Sequence, residues 1–482
     1  MSVDRAETRV AILEDDVTVE VRIERRGQRS VVGHVWRGRV TNVLAGMEAA
    51  FVDVGIEKNG FLHVDEVMAK GVPKNKRRIA ELLKKGDEIM VQATKDPMGS
   101  KGCRLTMQLS LAGRFVVYVP YGSGVGVSKR LTEDERRRLR QICDALPLKG
   151  GGLIVRTAAA GASAEDIARD IASLNKLWQV LQQREGQVST PSLLYSEADI
   201  SLRTMRDLLN AKVDEVLVDD EDQHERLLRF LRKTSPAMAE RVRLYTDEQP
   251  MMRRYGVEKA ILSTLERRAP LPGGGSLVID DTEAMTVIDV NSGRNVGRGK
   301  NRLEDTVTQT NLEAANEVVR QLRLRDIGGI VIIDFIDMDE SRNRKAVKEA
   351  LDKALERDRT RTFVVDISPL GLVEMTRQNI AEGPREILTE PCITCGGAGS
   401  LVTGETAAIE VERQLIRTLP GKGGEAFSVT VGNEVADLLS GEDGERLADI
   451  ERETGKRIVI ERDPNAELDE HEIRAIDAAT AV

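Results

Sequence analysis

One stretch limits what this chain can fold into: an apolar strand carrying an acid, a helix, and a second apolar strand carrying an acid. Met285-Thr286-Val287-Ile288-Asp289-Val290-Asn291 reads as the first strand. In the helix that follows, Leu312, Ala315, Val319 and Leu322 recur at three- and four-residue intervals and make one apolar stripe. Gly328-Gly329 stops that helix, and Ile330-Val331-Ile332-Ile333-Asp334-Phe335 is a second strand, apolar enough to be expected under cover on both faces. A third unit repeats the scheme, with a helix over 341–357 and a strand over 363–367. Such units give parallel strands joined by right-handed crossovers, and sheets of this kind carry their sites at the carboxyl ends of the strands.

Asp289 and Asp334 both sit near that end. A carboxylate on an apolar strand is costly unless it is paired or metal-bound. Two of them on neighbouring strands would reach one Mg2+, which takes oxygen ligands and leaves its other positions to water and substrate phosphate. Asn291, two residues beyond Asp289 and on the same face, is placed to orient a phosphate or an attacking water. The plainer reading has these acids capping the following helices or pairing with Arg294 or Arg342. Asp280, Asp281, Asp337 and Asp339 read as turn residues or outlying acids. A rival cluster, Asp219-Asp220-Glu221-Asp222, follows a strand-like Glu215-Val216-Leu217-Val218 and is better explained as the cap of a helix beginning near His224.

Upstream, strands are expected over Arg9–Leu13 and Val17–Ile23. Short strands punctuated by glycines continue over 31–107, at a density that suits a small OB-like barrel. After 160 the pattern turns helical, with Ile167, Ile171, Leu174 and Leu177 on one side. Phe51 and Phe61 flank the turn Gly55–Gly60 on adjacent barrel strands, in a chain with only 3% aromatic residues. Such a pair either fills the barrel or stacks on bases. Arg156-Thr157 at a strand end is an exposed pair, or a fork and hydroxyl suited to a terminal phosphate.

The charge argues neither for nor against nucleic acid once it is divided. The net charge is −9, but residues 401–482 hold 19 acidic and 9 basic side chains, which leaves the first 400 residues near neutrality. Basic runs at Lys74–Arg78 and at Lys129-Arg130 with Arg136, Arg137, Arg138 and Arg140 are compatible with RNA, or are solvated faces. No run is apolar enough for a membrane span, the start lacks a signal-peptide profile, and four cysteines cannot make a disulfide framework. A cytoplasmic location is therefore expected. Cys392-Ile393-Thr394-Cys395 offers two ligands of the four that structural zinc takes, with Cys103 and Cys143 far off in sequence. Half a site per chain points to one Zn2+ shared by two chains across a twofold axis. A redox CxxC is the alternative, and no thioredoxin-like unit is expected after it.

Several runs together resemble the bacterial ribonuclease E/G family, and most its shorter branch. They are Val287–Ser292, Asn311–Glu317 leading through Arg320–Asp326 to Ile333–Met338, Glu48–Asp53, Ile154–Ala158 and Gly371–Arg377. The resemblance spans nearly the whole chain and weakens after about 415. It implies an α/β multidomain chain. An RNase H-like, non-catalytic fold is formed discontinuously by 1–30 and 202–264. An S1 barrel (31–107) is inserted in it, and a 5'-phosphate sensor follows (108–201). A DNase I-like catalytic domain (265–387), a zinc link (388–400) and a small C-terminal α/β domain (401–482) complete the chain. By the same resemblance Asp289 and Asp334 hold the catalytic Mg2+ with Asn291 beside them. Phe51, Phe61 and Lys101 contact RNA. Gly113, Val117, Arg156, Thr157 and Arg361 form the 5'-phosphate pocket, and Cys392 and Cys395 bind the zinc that joins a homodimer, itself able to pair further. The implied activity is Mg2+-dependent cleavage of single-stranded RNA to 5'-phosphate and 3'-hydroxyl ends, stimulated by a 5'-monophosphate, in ribosomal RNA maturation and mRNA decay. One departure is the stretch Gly293–Lys300, longer and more basic than the family pattern. Two other classes stay open: a catalytically silent RNA-binding scaffold, and a metal-dependent phosphoesterase acting on DNA.

Overall fold

The computed structural model describes all residues except 28, 70, 98–100, 147–149, 294–299, 369, 379–381, 442–444, 469 and 478–482, and omits the side chains of 74, 300–302 and 445. The chain divides into two compact units, Met1–Leu388 and Thr389–Val482. The first opens with an antiparallel hairpin, β1 (Glu7–Glu14) and β2 (Val17–Arg25). The apolar side of this hairpin, Val21 and Ile23, packs against Met251, Met252, Val257 and Ile261, so the two ends of a long insertion share one core.

Within that insertion, β3 (Val35–Leu44), β4 (Ala49–Asp53), β5 (Gly60–His63), β6 (Glu88–Lys95) and β7 (Arg104–Thr106) form a barrel. It closes through pairing of β3 with β6. Alternation fills it: Val40, Ala50, Val52, Leu62, Val91, Ala93 and Leu105 point inward and are buried. A separate four-stranded sheet follows, containing β8 (Val116–Val119) and β9 (Gly152–Val155) and covered by α1 (Ala164–Glu185) through Ile167, Ile171 and Leu174. The acidic cluster at 219–222 is indeed a cap. The Asp220 carboxylate accepts the Gln223 N–H at the start of α2 (Glu221–Thr234), and Asp219 accepts the Val3 N–H.

The sheet that carries the paired acids contains β10 (Ser276–Asp281), β11 (Met285–Asn291), β12 (Gly329–Asp334), β13 (Thr362–Val364) and β14 (Leu372–Arg377), with the short strand Arg268–Pro270 outside β10. As expected, β11 and β12 are parallel, joined by α3 (Lys300–Leu324). The third unit does not extend that parallel pair. After α4 (Ser341–Leu355), β13 pairs antiparallel with β14, and β14 lies antiparallel between β13 and β12. The turn at Gly371, with φ +78°, returns the chain and inserts a strand where a simple repeat would have placed the third one.

The expectation of cover on both faces is also corrected. Leu277, Ile279, Ile288, Val290, Val331, Ile333, Val373 and Met375 are buried, in one core with Ala315, Val319 and Leu322 of α3 and Val347 and Leu351 of α4. The opposite face is open, with Met285 37%, Ile330 46% and Phe363 68% exposed. An apolar run therefore stood for a strand that is covered on one side only. In the second unit, β15 (Ala426–Val431) pairs parallel with β16 (Arg457–Arg462) and antiparallel with β17 (His471–Ile476), over a core containing Ala408, Val411 and Leu415 of α5 (Gly404–Thr418).

Candidate active site and RNA-contacting surfaces

Asp289 and Asp334 are direct partners in the β11–β12 register. Adjacent strands lie about 4.8 Å apart, and in-register residues project from the same face. Their neighbours Ile288, Val290, Ile333 and Phe335 are all buried, so both carboxylates stand on the open face. Both acids are exposed. The cost of a charge at a strand end is therefore met partly by water rather than wholly by a partner. The Asn291 amide donates to the Asp289 carboxylate at 2.7 Å, which restrains that carboxylate. Partial burial, then the neighbouring charges of Asp289 and Asp337, push the Asp334 carboxyl above its ordinary value. Among the described residues neither acid has an ion-pair partner; Arg342 pairs with Glu340 instead. Arg294 and the stretch Gly293–Lys300, apart from its ends, lie outside the described residues.

Two of the flanking acids, at the end of β10, are engaged elsewhere. Asp280 pairs with Arg267 at 2.6 Å, and Asp281 accepts the Thr286 hydroxyl at 2.8 Å. The sequence reading missed the residue that shapes the segment after Asp334. Asn311 of α3 is fully buried. Its amide donates to the Ile336 carbonyl at 2.8 Å, and its oxygen accepts the Ile336 N–H at 3.1 Å. An amide next to the apolar stripe of the helix was the available signal, though Thr310, Gln321 and Arg323 are buried polar residues of the same helix. Glu304 adds a second brace, accepting the Asp339 and Glu340 N–H groups and the Asn343 amide.

On the barrel, Phe51 and Phe61 are register partners of β4 and β5, half-exposed, with rings edge to face and centroids 6.0 Å apart. They lie outside the barrel core. Lys101 is exposed and precedes β7, but it is Arg104, not Lys101, that occupies the register position beside Phe61. In the neighbouring sheet the Arg156 guanidinium donates to the Gly113 carbonyl at 2.7 Å and pairs with Asp207 at 2.6 Å. Burial opposes ionisation of Asp207, but Arg206 and Arg156 overcome it and hold its carboxyl below the ordinary value. Gly113 is buried, and a Cβ there would stand 2.5 Å from an oxygen of Asp170, whose carboxylate accepts the Arg114, Phe115 and Val116 N–H groups. Thr157 is exposed next to Arg156, and Val117 pairs with Ile154 one strand away. Gly113, Val117, Arg156 and Thr157 are thus brought together. Among the described residues no hydrogen bond or ion pair joins Arg361 to them, although Arg130 donates to the Asp358 carbonyl at 2.8 Å, three residues from Arg361.

Part of each basic run is engaged within the chain. Arg136, Arg137 and Arg138 pair with Glu133, Asp134 and Glu135 one helical turn back, and Arg77 donates to the carbonyls of Val67 and Val72. Cys392 is exposed and Cys395 half-buried; the N–H groups of Cys395 and Thr394 face the Cys392 sulfur and hold its thiol below the ordinary value. Among the described residues no cluster of three or more His, Cys, Asp or Glu side chains is arranged around a metal position. No described helix is long and apolar enough to cross a membrane.

Comparison with known proteins places these features in a context. A family model described as the ribonuclease E/G family matches residues 110–380, and one described as the RNase E/G thioredoxin-like domain matches residues 391–476. The chain is 40% identical over 473 residues to ribonuclease G of Salmonella typhimurium (strain SL1344) and, equally, to ribonuclease G of Escherichia coli (strain K12), covering 96% of each chain. It is 35% identical over 463 residues to ribonuclease E of Escherichia coli (strain K12), covering 94% of this chain and 43% of that one. The thioredoxin-like match overturns the expectation that no such unit follows the cysteines. Yet Cys392 and Cys395 lie in a turn well before α5 begins at Gly404, not on the first turn of a helix, where a redox pair has its thiolate stabilised.

Proposed function

The chain belongs to the ribonuclease E/G family, and on that premise we propose that it is an endoribonuclease cutting single-stranded RNA at Asp289 and Asp334. The observation that carries the reading is the in-register placement of these two acids on one open sheet face, with no cation paired to either among the described residues. The donor set fits a hard divalent ion: two carboxylates, one of them held above its ordinary pKa by partial burial and then by the other's charge, with solvent access for the remaining positions. Asp289 and Asp334 would hold Mg2+, which when bound supplies a more acidic water and a counter-charge for the phosphate. Asn291 keeps the Asp289 carboxylate in one orientation and presents its amide beside the scissile group. The exposed face admits a flexible strand, whereas a duplex would have to bring a rigid backbone onto it. The products are a 5'-phosphate and a 3'-hydroxyl, and the cellular work is ribosomal RNA maturation and mRNA decay in the cytoplasm.

The domain roles follow the family layout, with 1–30 and 202–264 as a non-catalytic RNase H-like fold, 31–107 as an S1 barrel and 265–387 as the catalytic domain. Phe51 and Phe61 offer rings on which bases stack irrespective of sequence. Lys101 adds a cation to the same barrel. Gly113, Val117, Arg156, Thr157 and Arg361 serve a 5'-monophosphate, which would compete with Asp207 for the Arg156 fork. Cys392 and Cys395 hold half of a structural zinc, completed by the same pair from a second chain.

One assay tests the reading. A short 5'-monophosphorylated single-stranded RNA is incubated with Mg2+ and the parent, Asp289→Asn or Asp334→Asn protein. Internal cleavage by the parent and its loss in both variants is expected. RNA binding without cleavage by the parent would mean a scaffold, and cleavage of DNA alone a different phosphoesterase.

A further inference from the structure

The barrel register places more than the two phenylalanines in one line. Asn42 of β3 pairs with Phe51, Phe51 with Phe61, Phe61 with Arg104 of β7, and Arg104 with Lys95 of β6. Residues that flank Phe51, Phe61 and Arg104 along their strands, Ala50, Val52, Leu62, Cys103 and Leu105, are buried, so these three side chains project outward together, while Asn42 and Lys95 each follow an irregularity in the register. The row reads polar, aromatic, aromatic, basic, basic. Arg104 is exposed, and neither it nor Lys95 has an ion-pair partner among the described residues, in contrast to the self-neutralised arginines at 136–138.

A stacking platform holds a base by its face and says nothing about the phosphate attached to it. A guanidinium without an ion-pair partner, carried on the strand next to that of the stacking ring at a backbone spacing of about 4.8 Å, can reach that phosphate. Arg suits the task because its planar fork matches two phosphate oxygens. We propose that Arg104, with Lys95 beside it, is a positioning residue that binds the phosphodiester of the nucleotide stacked on Phe61, so that single-stranded RNA crosses the barrel perpendicular to its strands. The inference rests on the reading of Phe51 and Phe61 as an RNA platform.

The test is fluorescence anisotropy of a labelled single-stranded RNA with the full-length protein in EDTA, across a salt series. The proteins are Arg104→Ala, Arg104→Lys, Lys95→Ala, Phe61→Ala and, as a charge-matched control on the exposed side of α2, Arg229→Ala. Arg104→Ala should raise Kd about tenfold, the loss of one charge-assisted contact, and lower the salt slope by about 0.7. Arg104→Lys should restore the slope and only part of the affinity. In cleavage with Mg2+, Arg104→Ala should raise KM and leave kcat unchanged. Binding by Arg104→Ala no weaker than by Arg229→Ala, while Phe61→Ala is weakened, overturns the proposal and leaves the platform standing. If Phe61→Ala also binds like the parent, the platform itself is wrong and the proposal falls with it. Weakening by Arg104→Ala alone would place the phosphate away from Phe61 and overturn the perpendicular path.

Discussion

Replacing Asn311 by alanine separates the support of the active face from its chemistry. The Asn311 side chain is fully buried and closes a two-bond bracket on the Ile336 peptide group, two residues beyond Asp334. Alanine removes both bonds and leaves a peptide N–H and carbonyl without those partners. A net hydrogen bond contributes about 1 kcal/mol, and an unsatisfied buried group costs about 1–3 kcal/mol. The half-buried position of Ile336 lets water recover part of that, so the expected loss is about 2–3 kcal/mol. Both tryptophans, Trp36 and Trp178, lie in the first unit, so urea unfolding followed by their fluorescence reports on the unit that changes. With the loop freed, the Asp334 carboxylate loses its fixed relation to Asp289, and kcat should fall at least tenfold while RNA affinity in EDTA stays at the parental value. A destabilisation below about 0.5 kcal/mol with unchanged kcat would refute the bracket as a support of the site.

Four further outcomes are expected. Asp334→Asn should abolish cleavage yet stabilise the metal-free protein near neutrality. Because its folded carboxyl is raised above 3.8, it contributes stability at low pH that is lost as pH rises, so the advantage of the variant in thermal melts should vanish below about pH 3.8. Arg377→Met strands the Asp358 carboxylate, 2.8 Å from the lost guanidinium and 2% exposed, and should cost about 3–5 kcal/mol by urea unfolding. Phe51→Ala should raise KM for single-stranded RNA about tenfold with kcat unchanged in steady-state kinetics, the loss of one stacked base. Cys392→Ser should lower the molar mass measured by light scattering, and an unchanged mass would count against a shared zinc.

The legible part of this chain was the local pattern. The alternation that puts Asp289 and Asn291 on one face, and the helical stripe through Ala315, Val319 and Leu322, are periodicities a single strand or helix imposes on its own residues. What escaped was decided by partners distant in sequence. The return of β14 between β12 and β13 depends on a left-handed turn at Gly371, which no periodicity announces. The open face was misread because Ile330 and Ile332 are apolar whether or not anything covers them. Arg104 is not legible beside Phe61 because β5 and β7 adjoin only in space, whereas Lys101 is legible by likeness of sequence. The arginines at 136–138 were legible as charge but not as their pairing one turn back.

The parallel register of β11 and β12 makes this region indifferent to much chemistry and intolerant of length. Along a strand, sides alternate, so one deleted or inserted residue between Gly329 and Asp334 would swing the acid into the hydrocarbon interior and turn Ile333 toward solvent. Substitutions at Ile330 or Ile332 keep the phase, whereas a single-codon indel destroys it. Any natural or engineered variation in chain length should therefore collect in the connections beyond the strand tips, never between them.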